Sequence, residues 1–115
     1  MHEHSLGIEV RPDGAWVTVV LSGELDIASA SRLRACLDAI DPGVRHCILD
    51  LSDLTFMDSH GVGVIAEANR RFEPAMRELV LHNPRGHVAR VIDLTGLARV
   101  VPVTGVVAAP MQPAL

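Results

Sequence analysis

The stretch Asp50-Leu51-Ser52-Asp53-Leu54-Thr55-Phe56-Met57-Asp58-Ser59-His60-Gly61-Val62-Gly63-Val64-Ile65 decides how this chain is read. An apolar strand ends at Asp50 and a short loop follows. An Asp-Ser pair then opens onto two glycines and an amphipathic helix. The pattern places one hydroxyl at the positive end of a helix dipole, where added negative charge is tolerated. The same pattern leaves that hydroxyl at the surface. No base is set beside it in sequence, so Ser59 suits modification better than catalysis.

Working outward, the chain shows alternating strand and helix signals. Leu6 to Val10 is a short apolar edge strand, and Arg11-Pro12-Asp13-Gly14 is a turn in which Pro presets φ and Gly accepts positive φ. Ala15 to Ser22 is apolar on both faces, the mark of a central strand; with the first segment it should form an antiparallel hairpin. Gly23-Glu24-Leu25-Asp26 breaks that strand. Ser29 and Ser31 offer N-caps for a helix to about Ile40, with Leu33, Cys36, Leu37 and Ile40 as its apolar stripe. Asp41-Pro42-Gly43 ends it. His46 to Leu51 is a further strand, and the helix opening at Ser59 runs to about Phe72. Glu78 to His82 is a strand, and His87 to Thr95 a short helix closed by Gly96. Arg99 to Val103 is the last strand. The order β-β-α-β-α-β-α-β implies right-handed crossovers and an α/β fold: a mixed sheet of four to five strands, mostly parallel, with helices flanking it. Residues 1–103 read as one domain. Residues 104–115 read as an irregular or poorly ordered tail, because two further prolines intrude without a helical stripe.

Composition bounds the function. The chain has 115 residues, enough for one core, and it is 49% hydrophobic but only 3% aromatic. That core must be aliphatic, with Trp16, Phe56 and Phe72 as its only large rings. The formal net charge is −4 and no run of Lys or Arg appears, which excludes a nucleic-acid partner. Cys36 and Cys47 read as small buried hydrophobes in a reducing compartment. The polar start Met1-His2-Glu3-His4-Ser5 is not a signal peptide, and no apolar run approaches the roughly 20 residues that span a bilayer. The cytoplasm is the expected location.

Three motifs invite chemistry and fail on context. Gly61-x-Gly63-x-x-Ala66 matches a dinucleotide fingerprint on paper, but a loop separates it from the preceding strand. Leu81 and His82 stand where the ribose-binding acid belongs. Small residues that let the helix approach the sheet are the better account. Ser59-x-Gly61 is half of a nucleophile elbow, with Met57 in place of the first glycine. His60 is a poor base because adjacent side chains at a helix start diverge; a small hydrolase would need His46, His82 or His87 to approach in space. The six histidines show no metal-ligand spacing, so no metal and no cofactor is expected. Asp26 and Asp58 both sit at strand-to-helix junctions, where an acid complements the dipole by about 0.3–1 kcal/mol. A functional role is favoured for Asp58, immediately before Ser59.

Gly23-Glu24-Leu25-Asp26, Leu49-Asp50-Leu51-Ser52-x-Leu54-x-Phe56-Met57-Asp58-Ser59-x-Gly61-x-Gly63, Leu79-Val80-Leu81-x-Asn83-Pro84 and Leu94-Thr95-Gly96-Leu97 together closely resemble a STAS domain of the bacterial anti-sigma-factor antagonists. The match runs in order from about Leu6 to Val103. The resemblance implies that Ser59 is phosphorylated by an anti-sigma-factor serine kinase of the GHKL type using ATP. It also implies that Asp26 and Asp58 lie near it at the partner surface. Unphosphorylated, such proteins bind the anti-sigma factor and free the sigma factor; phosphorylated, they release it, and a phosphatase restores them. They are substrates and switches, not enzymes. The docking surface expected is Asp26, Asp58, Ser59 and His60 with the outward positions Val62 and Ala66. His60 departs from the small hydroxyl residue usual in the family, and the family's last helix is not legible after Val103. Competing readings are a STAS subunit of a stress-signalling or lipid-transport complex, a module that lost its phosphorylation, and the small serine hydrolase.

Overall fold

A computed structural model describes residues 5–105. Five strands form one sheet in chain order: β1 (Gly7–Asp13), β2 (Trp16–Leu25), β3 (His46–Met57), β4 (Glu78–His82) and β5 (Val103–Thr104). β1 and β2 pair antiparallel, and every later pair is parallel. The parallel pairs are joined through α1 (Ala30–Asp38), α2 (Ser59–Phe72) and α3 (Gly86–Thr95), with a 3₁₀ turn at Leu97–Arg99 before β5. A mixed α/β sheet with an N-terminal hairpin is what the strand and helix signals predict.

Several boundaries differ from the sequence reading, each for a local reason. β1 continues through Arg11, Pro12 and Asp13, which pair with Thr18, Val17 and Trp16, so the turn shrinks to Gly14 and Ala15. Pro12 is tolerated because β1 is an edge strand. Gly23 does not break β2. It adopts φ 83° beside a register shift against β3, and the strand continues to Leu25. β3 likewise runs past Leu51 to Met57, so the expected loop after Asp50 is strand; Leu51, Leu54 and Met57 all enter the core. Ser29 precedes α1, but its hydroxyl donates to Glu24 O at 3.0 Å instead of capping the helix, and Ser31 lies inside α1. The expected strand from Arg99 is a 3₁₀ turn followed by only Val103 and Thr104 in β-pairing. Thr104 therefore belongs to the sheet, while the rest of the expected tail from residue 106 lies outside the described residues, as do His2 and His4.

The two faces of the sheet are unlike. On one face Val17, Val19, Leu21, Cys47, Leu49, Leu51, Leu79 and Leu81 are buried under the helices, against Leu33, Leu37, Ile65, Phe72, Val88 and Ile92. Close-packed aliphatic burial on this scale dominates stability. Burial pushes the Cys47 thiol up to about 12, and both cysteines are free thiols. Among the described residues the other face carries no helix. Parallel register aligns its side chains in rows across the strands: Trp16–His46–Glu78, Thr18–Ile48–Val80 and Val20–Asp50–His82–Thr104. Trp16, read from sequence as a core ring, lies on this open face, 48% exposed and stacked on His46 at 4.2 Å. Phe56 is also at the surface; Phe72 alone of the three rings is buried.

Candidate functional site

Parallel pairing brings the ends of β2 and β3 to one rim of the sheet. Leu25 and Met57 are register partners, and Asp58 N–H donates to Leu25 O at 3.2 Å. The chain therefore leaves the sheet at neighbouring points through Asp26 and Asp58. Asp58 is the N-cap of α2: its extended backbone (φ −112°, ψ −173°) turns the carboxylate inward. There Oδ1 accepts from His60 N at 2.9 Å and Gly61 N at 3.4 Å. A side-chain acceptor at this position satisfies helix N–H groups that have no partner within the helix.

Ser59 is the first residue of α2 and is exposed. Among the described residues no side chain hydrogen-bonds its hydroxyl. The histidines are committed elsewhere. His46 pairs with Glu78 at 3.1 Å, His82 meets Thr104 Oγ1 at 3.2 Å, and His87 Nε2 lies 3.3 Å from Met57 O. His60 Nδ1 stands 3.5 Å from Asp58 Oδ1, on the capping carboxylate and not on the serine. Nucleophilic catalysis needs a base in hydrogen-bond reach of the hydroxyl, and the site has none of these imidazoles in that place. Among the described residues no three His, Cys, Asp or Glu side chains gather in a group that could hold a metal ion.

The two glycines after Ser59 have separate roles. A Cβ on Gly61 would lie 2.7 Å from Leu25 Cγ and Cδ2 and 2.9 Å from Met57 Cγ, so the first turn of α2 rests directly on the strand ends. Gly63 faces open space, contrary to the expectation that both glycines serve close approach. Asp26 organises the neighbouring loop: its Oδ1 accepts from Ala28 N at 3.0 Å and Ser29 N at 3.2 Å and lies 3.1 Å from Ser29 Oγ. Val62 and Ala66, expected to point outward, are half-buried and pack partly against the core.

Two surface features of this rim escaped the sequence reading. Ile27, beside Asp26, is 69% exposed, an apolar side chain held out by the tight Asp26–Ser29 loop. Phe56 stacks on His87 with ring centroids 4.9 Å apart and planes 5° from parallel. An apolar residue inside a capping loop was the available signal for Ile27. Nothing local announced the Phe56–His87 stack, because its partners are 31 residues apart in different elements.

With this geometry in view, the family model for the STAS domain matches residues 8–109. The chain belongs to the STAS domain family. The anti-sigma F factor antagonist of Paenibacillus polymyxa is 33% identical over 101 residues, covering 86% of each chain. Among solved structures, an anti-sigma factor antagonist from Mycobacterium paratuberculosis shares the fold with a TM-score of 0.80 at 24% identity, over 92% of this chain and 91% of that one. The antagonist SpoIIAA in its unphosphorylated form superimposes with a TM-score of 0.72 at 29% identity, over 87% of this chain and 88% of that one. The Bacillus cell fate determinant SpoIIAA in its phosphorylated form gives 0.66 at 26%, over 87% and 91%. These STAS relatives are named as antagonists of regulatory factors and not as enzymes. No helix among the described residues is long and apolar enough to cross a membrane.

Proposed function

We propose that this STAS domain is an anti-sigma-factor antagonist of the cytoplasm, a binding module that sequesters an anti-sigma-factor kinase and is switched off by phosphorylation of Ser59. The observation that carries the reading is an exposed hydroxyl on the first residue of α2, next to a capping Asp58 and, among the described residues, bonded to no base. Asp26, Asp58, Ser59 and His60 form the contact surface, flanked by Val62 and Ala66.

In the switching step the kinase, of GHKL type, transfers the γ-phosphoryl group of ATP to Ser59 Oγ. The O–H proton goes to a base of the kinase and ADP leaves. A phosphatase hydrolyses the ester and restores the hydroxyl. The new group adds about −1.5 to −2 charges. The dipole of α2 offsets part of that charge within the molecule, so the fold persists. Asp58 and an acidic partner surface do not offset it. Like charges set face to face across an interface cost several kcal/mol, and each ~1.4 kcal/mol is tenfold in affinity. Binding therefore falls by orders of magnitude without refolding.

The test is incubation with candidate anti-sigma kinases and ATP, followed by mapping of the modified residue and a pull-down of the kinase. Phosphate on Ser59 and loss of the complex are expected, with Ser59→Ala remaining bound whatever the ATP level. Phosphate at another residue, or a Ser59→Asp variant that binds as tightly as the wild type, overturns the charge-based account.

A further inference from the structure

The open face of the sheet sets an apolar strip among polar and charged side chains. Its middle row, Thr18–Ile48–Val80, is mostly apolar, and Trp16 and Val20 extend the apolar ground to either side along β2. Parallel sheets are ordinarily covered on both faces, because crossover helices bury them and their strands carry apolar residues on both sides. Here β2 carries apolar residues on its open side at Trp16 and Val20 and β3 at Ile48, while α1, α2 and α3 all lie on the other side. Trp16, Thr18, Ile48, Val80, His82 and Thr104 line a shallow hollow of about 490 Å³.

Charge selects the occupant. Asp50 and Glu78 stand on the margins of the hollow, and Glu9 and Asp53 border the adjoining depression at Val20 and Ser22. Arg11 is already held by Glu9 through two hydrogen bonds at 3.0 and 3.1 Å, and Glu78 is met by His46 at 3.1 Å; the acidic side chains along these two depressions still outnumber the arginine beside them. A second copy of the chain would set these carboxylates against themselves, and an anionic lipid surface would be repelled.

We propose that this open face is a second docking surface, for a basic amphipathic helix of a partner protein. The apolar stripe of that helix seats on Thr18, Ile48 and Val80, and its Lys or Arg side chains reach Asp50 and Glu78. Helix on sheet is the packing the same strands already use on their other side. The surface is separate from the rim that carries Ser59, so a partner held here stays bound through a phosphorylation cycle.

The probe is a synthetic helical peptide of leucine and lysine, with leucines at i, i+3, i+4 and i+7, added to the full chain. Its leucine–glutamate counterpart is the control. Trp16 is the chain's single tryptophan, so its emission reports contact directly, and amide shifts in an isotope-labelled sample map the surface. The expected result is a blue shift of Trp16 emission with perturbed amides at Trp16, Thr18, Ile48 and Val80. Affinity should fall at least tenfold in Thr18→Lys. The exposed substitution Glu78→Gln, which does not endanger the fold, should weaken binding about threefold. Three results each overturn the proposal: perturbation centred on α2 instead, equal binding of the leucine–glutamate peptide, or dilution-dependent shifts on this face showing that a second copy covers it.

Discussion

The same strands present two faces with opposite fates. Leu49 and Ile48 are neighbours in β3, yet Leu49 is fully buried under the helices while Ile48 is half-exposed on the uncovered side. Both are apolar and both suit a strand, so side-chain type alone does not tell which face the helices take. The crossover connections decide it: each parallel step after β2 returns its helix to one side. The covered face holds the fold together, and the open face remains available for contact.

The largest expected effect tests that division directly. Leu49→Ala should cost about 2–5 kcal/mol in chemical denaturation, whereas Ile48→Ala should cost less than about 1 kcal/mol. Equal losses would mean that the open face is packed as firmly as the covered one. Next comes the seam between α2 and the covered face. Gly61→Ala should destabilise by about 1–3 kcal/mol, since its new methyl meets Leu25 and Met57 side chains within 3 Å. Gly63→Ala, into open space, should stabilise by about 0.5–1 kcal/mol through helix propensity. Removing the cap by Asp58→Ala should cost about 1 kcal/mol, seen as a lower thermal midpoint and faster amide exchange in the first turn of α2.

The smallest effect belongs to the open face and depends on pH. Burial pushes the Asp50 carboxyl upward, but hydrogen bonds from Ser52 and the charges of His82 and Arg11 outweigh it and hold the group below its ordinary value of 3.8. A depressed folded-state pKa stabilises the fold above the unfolded value and ceases to do so as pH falls through the folded one. The stability difference between wild type and Asp50→Asn should therefore be constant near neutrality and shrink as the pH drops below about 4. A difference that does not change with acid would mean that Asp50 gains nothing from Ser52.

Most of the architecture was legible in the sequence because periodicity reports local geometry. β4 at Glu78–His82 and α2 at Ser59–Phe72 match their expected spans, since each has a clean apolar pattern bounded by punctuating residues. The errors cluster where a residue has two local meanings. Gly23 reads as a strand break, yet glycine also accommodates a bulge, and the pairing with β3 selects the second meaning. Ser52 to Met57 reads as a loop because polar residues interrupt the alternation; long-range pairing with β2 keeps it extended. At the rim, the capping role of Asp58 follows from its position before the helix. The Phe56–His87 stack does not, because it depends on where α3 returns to the sheet. The exposure of Trp16 was hidden for the same reason: whether a second layer covers β2 is a property of topology.

The N-terminal ends of α1, α2 and α3 all follow the carboxyl ends of parallel strands, so they gather along one edge of the molecule. Chain direction is thereby converted into an electrical direction, with partial positive charge at that edge and partial negative charge at the opposite one. An anionic group attached at the leading turn of any of the three helices would enter favourable ground, and the same group at the trailing turns would not. Topology alone thus restricts where a charge-based switch can evolve on this scaffold, before any particular serine is chosen.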